Sequence, residues 1–385
     1  MEEQRLDHTS QDYRELDDYF RKNQCQRILL VAGKSLSLLN LGSYFESLEQ
    51  RTGIRVVRFD NFKPNPDYSS VVDGVACYQR EGCDQIVAVG GGSAMDVAKC
   101  IKLFSNMDSS QSYLEQEIVP NEIHFMAIPT TAGTGSEATR FAVIYKDGIK
   151  QSVTHDSCIP EAVFFDASAL KTLPDYHRKA TMMDALCHGI ESYWSIRSTK
   201  ESREYSQKAI REILEEKDSY LDNTDSGNAG MLRAANHAGR AINLAQTTAG
   251  HAMSYKLTGL YGIAHGHAAA LCVSELFSDM VQNPDRCVDE RGREHLEKIL
   301  LEIAGAFGCD RPEEAVKKWN QILKELSLEI PVASKKDYEI LKKSVNPERL
   351  KNHPVSLNEE RIDRLYHRIL DQKKTKHIEI ERGEE

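Results

Sequence analysis

Short apolar runs alternate with helical patterns through the first part of the chain. Four of these runs have the length and composition of buried strands: Arg27–Ala32, Ile54–Phe59, Ile86–Val89 and His124–Ile128. Helical spacing of apolar residues follows the first two runs, up to about Glu49 and over Val71–Arg80. Because strands that alternate with helices form parallel sheets covered on both faces, this pattern predicts a doubly wound α/β domain.

The pattern changes at about Leu170, where strand-like runs end and long helical patterns begin. The clearest helical patterns cover His177–Trp194, Glu201–Glu215 and Met231–Gln246. A chain of 385 residues is also too long for one ordinary hydrophobic core. We therefore predict an N-terminal parallel-sheet α/β domain over residues 1–168 and an all-α domain over residues 169–385, with a charged tail that frays from Lys373.

The composition excludes several classes of protein. Hydrophobic residues make up 40% and charged residues 28% of the chain, and the formal net charge of −10 argues against nucleic-acid binding. No stretch of about 18 apolar residues is present, and the acidic N-terminus lacks the apolar core of a signal peptide. The nine cysteines form no CxxC pair, which favours reduced thiols in a cytoplasmic protein.

A glycine turn follows the third predicted strand. The segment Val89–Asp96 contains Gly90, Gly91, Gly92 and Ser93 at the point where a helix is expected to begin. Glycines permit close approach of a phosphate, and a helix N-terminus offers unpaired N–H groups to it. The turn therefore favours a pyrophosphate site, although it lacks the GxGxxG pattern and a tight strand-to-helix turn alone would also explain it.

A second polar loop follows the fourth predicted strand. Residues 129–139 crowd threonine hydroxyls and glycines at the carboxyl end of that strand. Ligands of open α/β sheets bind at this edge, so a dinucleotide-binding domain is the expected role of the N-terminal half. The alternative is an ordinary surface loop.

One carboxylate and three histidines form a candidate metal site. Asp184 and His188 lie four residues apart, on one face of a predicted helix, and His251 and His265 follow later, each beside a glycine. This mixed nitrogen and oxygen set suits Fe(II), Zn(II), Co(II) or Mn(II), and a metal with an open position polarises an alcohol or carbonyl oxygen. Taken singly, each histidine would more often be a core or surface residue than a ligand; the group of four, together with the two cofactor-type loops, favours the metal site.

Four segments, GGGSAMDVAK, PTTAGTGSEAT, DALCHGIES and HAMSYKLTGLYGIAHGH, occur in the order found in the iron-containing alcohol dehydrogenases. The chain resembles that family over about residues 25–370. The resemblance implies a dinucleotide-binding α/β domain, a helical metal-binding domain with the metal in the cleft between them, and an NAD(P)H-dependent aldehyde reductase or alcohol dehydrogenase. It also implies a small-molecule substrate, Fe(II) or Zn(II), and a homodimer.

Individual residues take roles from the resemblance. The implied metal ligands are Asp184, His188, His251 and His265. The implied cofactor-binding residues are Gly91, Gly92, Ser93, Asp96, Thr130, Thr131, Thr134 and, by a weaker match, Lys150.

The chain departs from the family pattern at three places. Where many members carry a further histidine, four residues after the third ligand, this chain has Tyr255, so Tyr255 or His267 is the expected catalytic proton donor. Gly33, followed by Lys34 and Ser35, replaces the acidic residue of NAD-restricted members, so NADPH should be accepted. The usual N-terminal β-hairpin is expected to be missing or reworked in residues 1–20.

Within the family, three segments look closest to the phosphonoacetaldehyde reductases: residues 191–206, 247–256 and 349–354. Arg140 and Arg349 are the expected contacts of a phosphonate, which arginine binds in a bidentate manner. Lys256, Lys351 and His267 are further candidates.

We expect reduction of phosphonoacetaldehyde to 2-hydroxyethylphosphonate. A general short-chain alcohol dehydrogenase and a sugar-acid alcohol oxidase of the same family remain alternatives. A dehydroquinate-synthase-like lyase would use a glutamate and two histidines instead, and a cofactor-binding scaffold would need no metal ligands.

Overall fold

The computed structural model describes residues 4–9 and 12–371. Within them the strands are β1 Gln4–Asp7, β2 Arg27–Ala32, β3 Arg55–Phe59, β4 Gln85–Gly90, β5 His124–Pro129, β6 Phe141–Lys146, β7 Ile149–Thr154 and β8 Ala162–Phe165. The α-helices are α1 Arg14–Lys22, α2 Asn40–Thr52, α3 Tyr68–Glu81, α4 Gly92–Phe104, α5 Asp175–Trp194, α6 Lys200–Leu221, α7 Asp225–Ala245, α8 Ala249–Tyr261, α9 His265–Gln282, α10 Arg293–Ala306, α11 Pro312–Leu326, α12 Lys335–Ser344, α13 Pro347–Leu350 and α14 Glu359–Leu370. The tail predicted to fray from Lys373 lies outside the described residues.

Six strands form one parallel sheet in the order β1-β8-β5-β4-β2-β3. The four predicted strands correspond to β2, β3, β4 and β5 within one residue at each end. β4 and β5 are neighbours, and Gly90 at the end of β4 pairs with Pro129 at the end of β5. The glycine turn and the hydroxyl loop therefore leave the sheet side by side at its carboxyl edge, where ligands of such sheets bind.

Four strands were not predicted. β6 and β7 form an antiparallel hairpin whose turn contains Asp147 and Gly148, both with positive φ angles of 52° and 73°. β1 and β8 have four residues each and pair with each other in parallel at the edge of the sheet. Strands this short carry too little periodicity to be recognised from sequence.

The chain forms two compact units. The first comprises Met1–Pro174 with Glu216–Gly239, and the second comprises Asp175–Glu215 with Arg240–Glu385. The sheet lies in the first unit, where its apolar side chains pack with those of α1 and α2. In the second unit, α8, α9, α12 and α14 share a hydrophobic core. The predicted fold class, a parallel α/β domain with a helical C-terminal part, is confirmed; the predicted boundary between residues 168 and 169 stays a prediction.

Membrane insertion was not expected from the sequence. Among the described helices, none combines the length and the apolar character needed to cross a bilayer.

Candidate metal centre and cofactor loops

Helix α5 carries three ionisable side chains on one face. Asp184, His188 and Glu191 are spaced four and three residues apart, so the helical repeat brings them together. All three are buried, and the Glu191 side chain is fully inaccessible to solvent. A buried cluster of this kind needs partners, because an isolated charge is strongly disfavoured away from water.

Helix α8 places His251 against this face of α5. The His251 ring stacks on the His188 ring with centroids 4.5 Å apart, and its Nε2 lies 3.4 Å from Oδ1 of Asp184. Ligand-type atoms of Asp184, His188 and His251 all lie within 4.8 Å of one another. The structure thus gathers three of the four predicted metal ligands into one buried cluster.

Glu191 holds the opposite side of the His251 ring. Its Oε2 accepts a hydrogen bond from Nδ1 of His251. Its Oε1 accepts hydrogen bonds of 2.6–3.0 Å from the Thr248 backbone N–H, the Thr248 hydroxyl and the Gly250 N–H. Because Nδ1 is committed to Glu191, the other ring nitrogen, Nε2, is the one turned toward Asp184.

The electrostatics of the cluster favour a positive charge at His251. Burial by itself opposes ionisation of both groups, but the attraction between Glu191 and His251 outweighs it. The pKa of the Glu191 carboxyl is therefore lowered to about 2 and that of the His251 imidazole is raised. A metal ion on Nε2 would replace the proton there and benefit from the same two carboxylates.

The residues of the cluster fit a divalent metal ion. Within the described part of the chain, Asp184 Oδ1 and His251 Nε2 are buried and have no hydrogen-bond partner. Leaving one such atom unsatisfied in a buried site costs about 1–3 kcal/mol. Asp184 Oδ1 and His251 Nε2 lie 3.4 Å apart, and the ring of His188 stacks on that of His251. Oxygen and nitrogen donors of this kind suit Fe(II) or Zn(II).

His265, the fourth predicted ligand, begins helix α9 next to this cluster. Its ring centroid lies 5.2 Å from that of His251, and its Nδ1 lies 3.4 Å from the Ser254 hydroxyl. A Cβ on the following residue, Gly266, would lie 2.1 Å from the backbone oxygen of Ala180. Glycine therefore permits α9 to start directly against α5, and this approach brings His265 to the cluster.

The two predicted proton donors lie in different surroundings. The Tyr255 ring stacks on the His265 ring with centroids 5.2 Å apart, and its hydroxyl accepts a 3.3 Å hydrogen bond from Nη1 of Arg349. His267 is buried, and its Nδ1 lies 3.1 Å from the Tyr176 hydroxyl. Burial lowers the pKa of His267 to about 4, so its ring is neutral at pH 7.

In the first unit, the glycine turn and the hydroxyl loop are in contact. A Cβ on Gly91 would lie 3.1 Å from the Thr131 hydroxyl, and one on Gly92 would lie 3.3 Å from the Thr134 methyl. The Thr130 N–H donates to the Gly90 carbonyl at 3.0 Å. The predicted phosphate-binding turn and the predicted hydroxyl loop therefore form one continuous surface at the start of α4.

The Lys99 side chain connects helix α4 to the hydroxyl loop through hydrogen bonds. Its side chain is fully buried, and its ammonium donates to Ser136 Oγ, to the Thr139 carbonyl and hydroxyl, and to the Phe141 carbonyl at 2.7–3.1 Å. Desolvation lowers the pKa of this ammonium. The cationic side chain is thus held by oxygen acceptors of the loop rather than by a carboxylate hydrogen bond.

Asp96 lies on the same helix, one turn before Lys99. Its Oδ1 accepts a 3.1 Å hydrogen bond from the Ser136 hydroxyl. Burial raises the pKa of the Asp96 carboxyl to about 6, with Lys99 and Lys150 acting in the opposite direction. The structure therefore places Lys150 in the electrostatic environment of Asp96.

The residues after β2 form a separate part of the predicted cofactor site. Gly33 has an extended backbone, and a Cβ there would meet nothing within 4 Å. Lys34 and Ser35 begin a 3-10 helix that ends at Leu38. The Gly33 carbonyl accepts a 2.9 Å hydrogen bond from Arg58, a cationic residue that the sequence interpretation did not include.

Arg140 and Arg349, the two predicted phosphonate contacts, belong to different units. Arg140 Nη1 lies 3.2 Å from Asp156 Oδ1 in the first unit. Arg349 lies beside Tyr255 in the second unit, with its guanidinium carbon 5.2 Å from the centre of the phenol ring.

Sequence reasoning missed Glu191 and Lys99 as organising residues. A signal was present in both cases. Glu191 lies seven residues after Asp184 and shares its helix face, and Lys99 lies seven residues after Gly92. Neither spacing reveals which later segment each side chain contacts.

The chain matches two family descriptions that together cover most of its length. Residues 8–167 match "Iron-containing alcohol dehydrogenase", and residues 179–370 match "Fe-containing alcohol dehydrogenase family, C-terminal".

Three relatives illustrate the similarity. Phosphonoacetaldehyde reductase of Streptomyces viridochromogenes is 33% identical over 319 residues, which are 78% of this chain and 80% of that protein. 1,3-Propanediol dehydrogenase of Klebsiella pneumoniae is 32% identical over 301 residues, 76% of each chain. The crystal structure of sulfoacetaldehyde reductase from Bifidobacterium kashiwanohense in complex with NAD+ has the same fold, with a TM-score of 0.85 over 96% of this chain and 97% of that one at 22% identity.

These matches confirm the predicted activity class, an NAD(P)-dependent oxidoreductase that interconverts aldehydes and alcohols. They extend over both units, and the second contains the cluster of Asp184, His188 and His251. The chain therefore belongs to the iron-containing alcohol dehydrogenase family.

Proposed function

We propose that this protein reduces phosphonoacetaldehyde to 2-hydroxyethylphosphonate with NADH or NADPH. The substrate proposal is supported by the similarity to the Streptomyces viridochromogenes phosphonoacetaldehyde reductase across 78% of the chain. The relatives of similar identity include a dehydrogenase of uncharged diols, which makes a general short-chain alcohol dehydrogenase the competing function.

The proposed metal ligands are Asp184, His188, His251 and His265. The observation that carries this assignment is the pair of buried, unsatisfied atoms, Asp184 Oδ1 and His251 Nε2, within the cluster of three. His265 extends the set through its ring contact with His251. The resulting donors accept either Fe(II) or Zn(II).

When bound, the metal supplies Lewis acidity toward a carbonyl oxygen, and the nicotinamide supplies a hydride. The chain's own residues orient the ligands and supply the proton. Glu191 fixes the orientation of the His251 ring through Nδ1. Tyr255 is the favoured proton donor, because its ring stacks on the ring of the proposed ligand His265 and the hydrogen bond from Arg349 would stabilise the phenolate left after proton transfer. His267 is less suited, because its lowered pKa of about 4 leaves it without a second ring proton at pH 7.

The cofactor is proposed to bind to the surface formed by the glycine turn and the hydroxyl loop. Gly91, Gly92 and Ser93 would present the N-terminus of α4 to the pyrophosphate, and the hydroxyls of Thr130, Thr131 and Thr134 would line the adjacent surface. Asp96 and Lys150 would lie near the nicotinamide end. Gly33, Lys34 and Ser35 would face the adenosine ribose, and this segment contains no carboxylate to repel a 2′-phosphate.

A cytoplasmic homodimer is proposed as the working form of the protein. All nine cysteines are free thiols, which suits a reducing compartment. Light scattering of the purified protein would give a mass of twice 43.5 kDa for the proposed dimer.

The experiment compares initial rates of NADH and NADPH oxidation by protein reloaded anaerobically with Fe(II) or Zn(II). Phosphonoacetaldehyde and butanal, an uncharged aldehyde of similar length, are the two substrates. A clear preference for the phosphonate supports the proposal, and equal efficiency would leave the alcohol dehydrogenase activity and remove the substrate assignment. His265→Ala should lose both bound metal and turnover; retained metal at full stoichiometry would contradict its assignment as a ligand.

A further inference from the structure

We infer that Arg349, held in place by Tyr255, is the residue that selects an anionic aldehyde at this site. The inference rests on the proposed phosphonate substrate and names the group that recognises it. It assigns Tyr255 a positioning role through its ring, in addition to the proton-donor role proposed for its hydroxyl. Arg349, Tyr255 and His265 all belong to the second unit.

The position of Arg349 is set by two stacked contacts that start at the candidate metal ligands. The His265 ring lies parallel to the Tyr255 ring, with an interplanar angle of 11° and centroids 5.2 Å apart. The Arg349 guanidinium carbon lies 5.2 Å from the centre of the same phenol ring. The cationic group is therefore linked to His265 through one intervening ring and is not itself a proposed ligand, which is the placement expected of a group that binds the far end of a short substrate.

The charge of Arg349 is not compensated by a carboxylate. In the described ranges of the chain, no carboxylate lies within ion-pair distance of its guanidinium, which contacts the hydroxyl and ring of Tyr255. Only one of its five N–H donors is directed to that hydroxyl, and the planar fork of the others suits a phosphonate. Arg140, the other predicted contact, is instead paired with Asp156 at 3.2 Å.

The backbone that carries Arg349 is fixed before a substrate arrives. The Arg349 N–H donates to the Asn346 carbonyl at 3.0 Å, at the start of the short helix α13. Leu350 packs against the core shared by α8 and α9. Asn352 is buried and bonds Ser195 Oγ and the Ala245 and Thr247 carbonyls at 2.8–3.0 Å. A half-buried arginine on an anchored segment loses little conformational freedom when it binds an anion.

The test measures kcat and KM for phosphonoacetaldehyde and butanal in the metal-loaded protein. Arg349→Met should lower kcat/KM for phosphonoacetaldehyde by about 30- to 100-fold, mainly through KM, because a charge-assisted hydrogen-bonding partner is lost. Its kcat/KM for butanal should fall much less, by no more than about fivefold, since an uncharged aldehyde loses only the hydrogen bond that Arg349 gives to the Tyr255 hydroxyl. Arg349→Lys should restore part of the loss, because lysine keeps the charge without the planar fork.

Lys351→Met is the matched control. It removes one positive charge two residues away, but Lys351 is already paired with Glu348 at 2.7 Å, so little change in selectivity is expected. Calorimetric titration with 2-hydroxyethylphosphonate supplies a readout that does not depend on turnover. Binding of this product should weaken in Arg349→Met and not in Lys351→Met.

Two substitutions separate the ring of Tyr255 from its hydroxyl. Tyr255→Phe keeps the stacking platform, so it should retain the preference for the charged aldehyde while kcat falls for both substrates. Tyr255→Leu removes the platform, so the preference itself should decline. Equal selectivity in the two variants would overturn the positioning role.

The outcomes distinguish this inference from the proposed function. Wild-type preference for phosphonoacetaldehyde that survives in Arg349→Met would overturn the inference and leave the function intact. Equal losses for both aldehydes in Arg349→Met would also overturn it, because they would indicate a structural role. Absence of a wild-type preference would remove the proposed substrate; the anion site would then stand only if 2-hydroxyethylphosphonate still bound and Arg349→Met abolished that binding.

Discussion

The cofactor loops and the metal cluster are each organised by one fully buried charged side chain, but of opposite sign and with different partners. Lys99 of the first unit directs its ammonium to hydroxyl and carbonyl oxygens of residues 136–141. Glu191 of the second unit directs its carboxylate to backbone N–H groups, one hydroxyl and the ring of His251. Each buried charge thus gathers polar groups that are distant in sequence.

The two regions differ in what the buried charge controls. Lys99 bonds mainly to a loop, so it fixes a backbone path, and desolvation lowers its pKa because no ion partner offsets burial completely. Glu191 bonds to one imidazole, so it fixes a ring orientation, and the charge of His251 lowers its pKa despite burial. A dinucleotide surface needs a shaped backbone, whereas a metal site needs correctly turned ligand atoms.

The largest effect is expected at Glu191. In Glu191→Gln the amide can donate to Nδ1 of His251, which would place the ring proton on Nε2, the atom that faces Asp184. Metal affinity should fall about 10- to 100-fold, as is usual when the partner of a ligand histidine is lost. Competition titration with a chelator measures it. Glu302→Gln, which alters a carboxyl bonded to Tyr193 in the same unit, should leave the affinity unchanged.

At Lys99 the expected effect is on the cofactor and on stability rather than on metal. Lys99→Met leaves the buried Thr139 carbonyl and the partly buried Phe141 carbonyl without their ammonium donor, at a cost of about 1–3 kcal/mol in the free energy of unfolding. The KM for NADH should rise while metal affinity is unchanged. If metal affinity fell as far as in Glu191→Gln, the division of roles between the two buried charges would be wrong. Lys102→Met, which removes a lysine bonded to Asn121, is the control.

A third test addresses the adenosine end of the cofactor surface. A side chain at Gly33 meets no neighbouring atom, so Gly33→Asp can introduce a carboxylate without a clash. The ratio of kcat/KM for NADPH to that for NADH should fall about tenfold, since the carboxylate repels a 2′-phosphate and bonds a ribose hydroxyl. An unchanged ratio would mean that the segment after β2 does not face the ribose. Gly305→Asp, at an exposed position of α10 where a Cβ also meets nothing within 4 Å, is the matched control.

The smallest effect is expected at Asp96, where the prediction concerns pH. Its pKa of about 6 in the folded protein exceeds the ordinary value of 3.8, so the folded state binds this proton more tightly than the unfolded state does. The resulting stabilisation is complete below about pH 4 and is lost as the pH rises through about 6. Asp96→Asn should therefore raise the melting temperature by a few degrees at pH 8, and the difference should vanish toward pH 4.

Asp108→Asn provides a control of opposite sign for this measurement. Hydrogen bonds from Ser110 and Gln111 lower the pKa of the Asp108 carboxyl, so its ionised form stabilises the fold. The substitution should lower the melting temperature at pH 8. A rise in both variants would contradict the pKa assignment at Asp96.

The sequence by itself located four of the eight described strands and several helices, and it indicated the residue types of the candidate sites. Apolar runs and helical spacing are local properties, and they located β2 to β5 and the long helices α5, α6 and α7. Residue types and four separated motifs indicated a dinucleotide surface, a metal cluster and the family. The strands β1 and β8 escaped because four residues are too few for a distinct period, and the hairpin of β6 and β7 escaped because β7 is mostly polar, with Ile149 and Val153 as its only apolar residues.

Only the tertiary structure decided which distant groups meet. Glu191 and His251 are 60 residues apart, Lys99 and Thr139 are 40 apart, and Tyr255 and Arg349 are 94 apart. No local pattern encodes these pairs, because they depend on how closely distant segments pack against each other. One example of such close packing is the contact of Gly266 with the Ala180 backbone. The sequence therefore supplied the types of ligand residue. Packing decided the orientation of the His251 ring, the path of the loop that Lys99 bonds, and the pairing of Arg349 with Tyr255.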